Sequence, residues 1–365
     1  MIPIYKPFLP KNSLSYAHDA LDSTWLSSQG KYINLATDKI KEILQVENLL
    51  LVNNGTSATH LVAKALHKKY PKIKKIIAAN NVYVAAWNSF LFDNNYKIET
   101  IDTNLETWNI DKDKIKDNKN HALLCVHNIG NIINVPNLKN KKPNLVYVED
   151  NCEGLFGKYN DKFSGTESFA SSVSFFGNKN ITCGEGGAVI INDNETFDYI
   201  KCIHGQGQSN TRFIHSELGY NYRITNIQAA ILLGQIELLP EIIERKEKIF
   251  SYYKEKLKNI NEISFQKNEL NTKHSNWMFG IRIKENKSYQ EAEKFFNSNG
   301  IEIRPMFYPI TSHNHLKNNI KIKINTCDNA KILNKECIIL PSFPELKKED
   351  QDHIVNIVEK WVSNK

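Results

Sequence analysis

Up to about residue 250 the chain alternates short β-rich runs with helix-patterned stretches, and this alternation restricts the fold more than any other feature. LLLVNN (49–54), KKIIAA (74–79), HALLCVHN (121–128), NLVYVED (144–150) and SSVSFF (171–176) read as strands. Between them SATHLVAKALHKKY (57–70) reads as a helix, with Leu61, Val62, Ala65 and Leu66 at helical spacing. Residues 225–258 read as helix interrupted near Pro240. Beyond that the pattern changes to a strand, NWMFGIRI (276–283), a helix stopped by Gly300 (288–300) and a terminal helix (346–364). The expected architecture is α/β: a large domain with a mostly parallel sheet over 1–250, then a smaller C-terminal α+β domain over 251–365.

Composition excludes several classes. No apolar run approaches the roughly 18 residues of a membrane span, and MIPIYKPFLPKNS has neither the apolar stretch nor the cleavage site of a secretory signal. The six cysteines are scattered without a CxxC pair, against both a zinc site and a disulfide framework. A reducing cytoplasm, with no metal and no membrane partner, is expected. The net charge of +7 comes with Lys and Glu interspersed along helical stretches, the mark of a solvated face rather than a nucleic-acid surface. A positive surface would still attract a polyanionic small molecule.

Open α/β sheets bind ligands beyond the carboxyl ends of their strands, so the residues after each strand matter most. After LLLVNN comes Gly55-Thr56-Ser57 at a helix start, where N–H groups and hydroxyls can hold a phosphate; a plain N-cap is the alternative. After NLVYV comes Asp150, which either serves a ligand or caps a turn. After SSVSFF comes Lys179, followed by the glycine-rich GEGG (184–187). A desolvated lysine can form a Schiff base with a carbonyl. A phosphate cradle, a carboxylate and a lysine on successive strand ends are the parts that hold pyridoxal 5'-phosphate. Gly186 and Gly187 let the chain turn close beside that lysine.

With GTSAT, VEDNCEG, SFFGNKNITCGEGG and GYNYRITNIQAA in that order, the chain resembles the DegT/DnrJ/EryC1/StrS sugar aminotransferases, and within them looks most like the GDP-perosamine synthases. The resemblance runs from MIPIYKP to LPSFPELKKED. It implies a fold type I, pyridoxal-phosphate-dependent enzyme in which Lys179 carries the cofactor and Asp150 pairs with its ring nitrogen. Thr56, Ser57 and Ser174 match phosphate ligands, Glu153 the residue near the cofactor hydroxyl, Tyr83 a stacking aromatic and Asn88 a nearby polar position. Asn221 matches an asparagine that reaches the phosphate from the neighbouring subunit, which implies a homodimer with shared sites. Arg304, Tyr308 and the partner-side Arg223 are the candidates for the substrate diphosphate.

The implied reaction moves an amino group from L-glutamate to C4 of a nucleotide-linked 4-keto-6-deoxy sugar, GDP-linked by overall resemblance, with a UDP- or dTDP-linked 4-keto-6-deoxyglucose as the alternative. Related 3-dehydratases carry histidine at the lysine position, and Lys179 argues against that chemistry; a non-catalytic regulatory homologue would not need Lys179. Two stretches depart from the family pattern. VHNIGN (126–131) stands where relatives have a VHLYGH-like run, and Thr311 stands where many have histidine.

Overall fold

The computed structural model describes residues 1–93, 95–284 and 288–363. Its main element is an eight-stranded sheet in the order Leu49–Val52, Gly187–Ile191, Ala170–Ser174, Val146–Asp150, His121–Val126, Lys75–Ala79, Lys97–Ile101, Ile322–Lys323. Neighbours from Ala170–Ser174 to Ile322–Lys323 pair in parallel. Gly187–Ile191 runs antiparallel between two strands, paired with Leu49–Val52 and Ala170–Ser174. The mostly parallel sheet expected from the alternation is therefore present.

Side chains alternate across the strands and feed two apolar layers. Val52, Val189 and Ile191 enter one cluster with Leu61, Val62 and Leu66. Leu49, Leu51, Ala188 and Ile190 enter the other, with Tyr32, Ile40 and Leu232. The first layer is anchored by the helix Gly55–Lys69, started by Asn54, whose side chain accepts the Ser57 N–H at 2.8 Å. Leu61 and Leu66 are wholly buried on it. Truncating either to alanine would cost about 2–5 kcal/mol in a core of this kind.

The interrupted helix expected over 225–258 is two helices, Asn226–Glu237 and Leu239–Leu257, meeting at 64°. Pro240 sits in the first turn of the second, where its missing N–H costs nothing. A four-stranded sheet, Ile263–Phe265, Phe279–Ile283, Cys337–Leu340 and Arg304–Pro305, packs with the helices Tyr289–Ser298 and Lys348–Ser363 around a third core. Residue 364, included in the expected terminal helix, lies outside the described residues. Ile310, Leu316 and Cys327 return to the first core, and Ile322–Lys323 extends the large sheet. A fourth cluster, including Ile4, Trp108, Ile129, Trp277 and Met306, joins the two parts. Among the described residues no single helix is long and apolar enough to cross a membrane.

Candidate active site

Three strand ends converge on one edge of the large sheet. Asp150 and Ser174 are the last residues of neighbouring parallel strands, and Gly55 opens the helix that follows Leu49–Val52. The approach is tight because of glycine. A Cβ on Gly187 would lie 2.7 Å from both the Asn54 and the Val173 carbonyl oxygens, and one on Gly55 would lie 2.8 Å from Ser174 Cβ. Only glycine at these places lets the helix start sit directly on the strand that leads to Lys179.

The result is a cavity of about 510 Å³ lined by Thr56, Ser57, Tyr83, Asp150, Glu153, Ser174, Lys179 and Arg304. Eight of the residues singled out in the sequence therefore share one space. Asp150 is buried and accepts the Cys152 N–H at 3.1 Å. Lys179 is half-buried, its Nζ 3.9 Å from the centroid of the Trp277 ring. Trp277 is fixed in turn, its Nε1 donating to the Asn178 carbonyl at 2.8 Å. The loop bearing the lysine is tied to the N-terminal segment by the Tyr5 hydroxyl, which donates to the Lys179 carbonyl at 2.6 Å.

Burial pushes the Glu153 carboxyl up to about 7, against the opposing pull of Lys179 and of the Ile129 N–H, which it accepts at 2.8 Å. Burial likewise pushes the Cys152 thiol well up, so this lining cysteine is an inert thiol at neutral pH. Behind Asp150, the wholly buried Glu149 takes the Gly165 N–H at 3.0 Å and the His127 ring at 2.9 Å. His127 Nδ1 accepts from Ile133 N, so its Nε2–H is the donor to Glu149. This pair stiffens the ends of two adjacent strands beneath the cavity floor.

The remaining candidates lie elsewhere in the single chain. Asn88 Oδ1 meets the His315 ring at 3.0 Å, outside the lining. Asn221 is exposed, bridged to Gly205. Arg223 bridges to Val52 and its Nε donates to Ser28 Oγ at 3.1 Å. Tyr308 is exposed, and Phe307 lines the cavity beside Arg304. Trp277 and Phe307, with Phe176 and Glu185, are lining residues that the sequence reading passed over. Trp277 sits in the run recognised only as a strand, NWMFGIRI, so the sequence carried no sign of its contact with Lys179.

The residues present fit pyridoxal 5'-phosphate. A helix start with its hydroxyls lies against Ser174, and a buried carboxylate at a strand end and a lysine amine on the loop after Ser174 line the same cavity. The family comparison agrees: the model of the DegT/DnrJ/EryC1/StrS aminotransferase family matches residues 8–359, and the chain belongs to that family. Within it, the chain is 35% identical to the GDP-perosamine synthase of Escherichia coli O157:H7, covering 100% of this chain and 99% of the relative. It is 31% identical to the GDP-perosamine synthase of Vibrio cholerae, covering 99% of each. Among solved structures it resembles Helicobacter pylori PseC, an aminotransferase involved in the biosynthesis of pseudoaminic acid, at a TM-score of 0.88, 24% identity and 98% coverage of both chains. It resembles the E. coli GDP-4-keto-6-deoxy-D-mannose-3-dehydratase with bound hydrated PLP at a TM-score of 0.88 and 23% identity, over 98% of this chain and 99% of the other. These last two speak to the fold, which is that of fold type I pyridoxal-phosphate enzymes.

Proposed function

We propose that this chain is a pyridoxal-phosphate-dependent aminotransferase that moves the amino group of L-glutamate to C4 of a GDP-linked 4-keto-6-deoxy sugar. The observation that carries the reading is the single cavity shared by Lys179, Asp150, Ser174 and Gly55–Ser57, in a chain 35% identical to a GDP-perosamine synthase over its whole length. The nucleotide and the position of amination come from that relationship.

Bound in this cavity, the cofactor supplies an aldehyde to carry nitrogen and a ring that accepts an electron pair. The chain supplies the rest. Thr56, Ser57 and Ser174, with the N–H groups of the helix start, bind the phosphate. Asp150 holds a proton on the ring nitrogen. Tyr83 covers the ring, and Glu153 holds a proton beside it. Lys179 Nζ removes the proton from the donor's Cα and, in the second half of the reaction, returns one to C4 of the sugar. The balance is glutamate plus keto sugar giving 2-oxoglutarate plus amino sugar. Arg304, half-buried in the lining, is the cation best placed for the diphosphate, and its planar fork can hold two oxygens at once.

Asn221 and Arg223, which lie outside this cavity, serve the site of a second copy in a homodimer. Two domains, divided near residue 250, meet at the cavity, with the stretch around 310–327 returning to the first. The six free cysteines suit a reducing cytoplasm. The test offers GDP-, UDP- and dTDP-linked 4-keto-6-deoxy sugars with glutamate and reads products by mass spectrometry and NMR. Highest kcat/KM for the GDP sugar with a 4-amino product is expected. Amination at C3, loss of the 3-hydroxyl, or reaction with simple keto acids alone would overturn the assignment.

A further inference from the structure

Ile129 is a β-branched residue held at φ 59°, ψ 10°, the left-handed region that such side chains rarely adopt. It is wholly enclosed, packed with Trp108, Trp277 and Met278. A strained conformation persists only where the surroundings over-determine it. Here the surroundings are amides. Asn128 N donates to Asn109 Oδ1 at 3.0 Å, and Asn128 Nδ2 donates to the carbonyls of Trp108 at 2.9 Å and Asn81 at 3.2 Å. Gln266 Nε2 donates to the Asn128 carbonyl at 2.9 Å, and Ser275 N to that of Gly130 at the same distance. Asn128 Oδ1 is buried without a partner among the described residues, so this side chain is kept for its two donor bonds.

This conformation reaches the cavity through the Ile129 N–H, which donates to Oε2 of the lining residue Glu153. We propose that Asn128 is a positioning residue: the amide network it anchors pins Ile129 in the left-handed conformation and thereby delivers the Ile129 N–H to the Glu153 carboxylate. The departure of VHNIGN from the family pattern thus falls where it bears on the active site. The contact favours the charged carboxylate, as does Lys179, while burial and Asp150 oppose it. Losing the N–H leaves Glu153 harder to ionise. The placement of the N–H stands on the contacts above; its consequence for transamination rests on the proposed function.

The test titrates the full chain from pH 5 to 9 by difference infrared spectroscopy, first without and then with pyridoxal phosphate. The protonated-carboxyl band of Glu153 is assigned by its loss in Glu153→Gln. In Asn128→Leu the midpoint of that band is expected to rise by about one pH unit, the effect of removing one hydrogen bond to a buried carboxylate. Gln266→Leu, which leaves the Asn128 side chain in place and frees its carbonyl along with that of Thr107 and the His274 ring, should move it less in the same direction and stands in should Asn128→Leu not fold. With cofactor bound, the matching limb of the kcat/KM profile should move with the band. An unmoved midpoint in a folded variant overturns the inference. Failure of Lys179 to take up pyridoxal phosphate, read by borohydride reduction and peptide mass, overturns the proposed function and leaves the infrared result to judge this one.

Discussion

Lys179 and Lys246 both rest against aromatic rings, Lys179 with Nζ 3.9 Å from the Trp277 centroid and Lys246 with Nζ 5.5 Å from that of Tyr5. Trp277 links them, because Lys246 Nζ donates to its backbone carbonyl at 2.7 Å and also to the Ser342 carbonyl. Lys246 is wholly buried with no carboxylate paired to it among the described residues, and burial pulls its amine down to about 7. By depressed basicity alone it would be taken for the nucleophile. It lines no part of the cavity, whereas Lys179 lines it together with Asp150 and Glu153. Access to the cavity separates the lysine proposed to react from one that staples two segments of the C-terminal part to the helix Leu239–Leu257.

Substituting the two lysines should sharpen this contrast most. Lys179→Ala should lower turnover at least a thousandfold, a barrier change of roughly 4 kcal/mol, while the chain still folds. Turnover within tenfold of the parent in stopped-flow and steady-state assays would break the distinction.

Lys246 should reveal itself in stability instead. Its folded-state basicity lies below its ordinary value, so between about pH 7 and pH 10 the unfolded chain binds the extra proton and stability rises with pH. The gain should be about 2 kcal/mol from pH 7 to pH 9, the slope rising from half its limit at pH 7 toward about 1.4 kcal/mol per pH unit. Urea unfolding of the parent and of Lys246→Met over that range measures it. The variant should lack the added slope, and equal slopes would mean that Lys246 stays charged when buried.

A third contrast sets the residues that one chain assembles against those it leaves outside. Asn221→Ala should weaken cofactor retention about tenfold, the worth of one hydrogen bond to a phosphate, with unchanged far-ultraviolet circular dichroism. An active monomer in sedimentation would undo the shared-site reading. The smallest effect should come from Asn54→Ala, which removes the N-cap of the helix Gly55–Lys69 and should cost about 1 kcal/mol in stability. A larger loss in cofactor affinity than in stability would place Asn54 in the phosphate cradle itself.

Much of the sheet was legible because several of its strands are apolar on both faces, as in HALLCV and KKIIAA, and such runs announce themselves. Lys97–Ile101, with its polar alternation, and the two-residue Ile322–Lys323 were not read as strands. The latter exists only through pairing with Ile98 and Glu99. The helices Lys11–Asp22 and Lys31–Leu44 were also passed over, their apolar faces becoming plain only against the helix Asn226–Glu237.

The residues proposed to handle the cofactor lie at or just after their strand ends, so local order was enough to group Gly55–Ser57, Asp150 and Lys179. Chain direction in a parallel sheet carries successive strand ends to one edge, and no distant contact is needed to infer it. The rest of the cavity wall is non-local. Trp277 reaches Lys179 across 98 positions of sequence, and Arg304 and Phe307 arrive from a segment that pairs with Cys337–Leu340. Glu153 was legible as a candidate for this cavity. Its basicity was not, because that depends on burial and on an Ile129 N–H aimed by amides drawn from residues 81, 108, 109 and 266. A motif records which groups are neighbours along the chain, but desolvation and hydrogen bonding are set by whatever packs against them, and only the tertiary structure decides that.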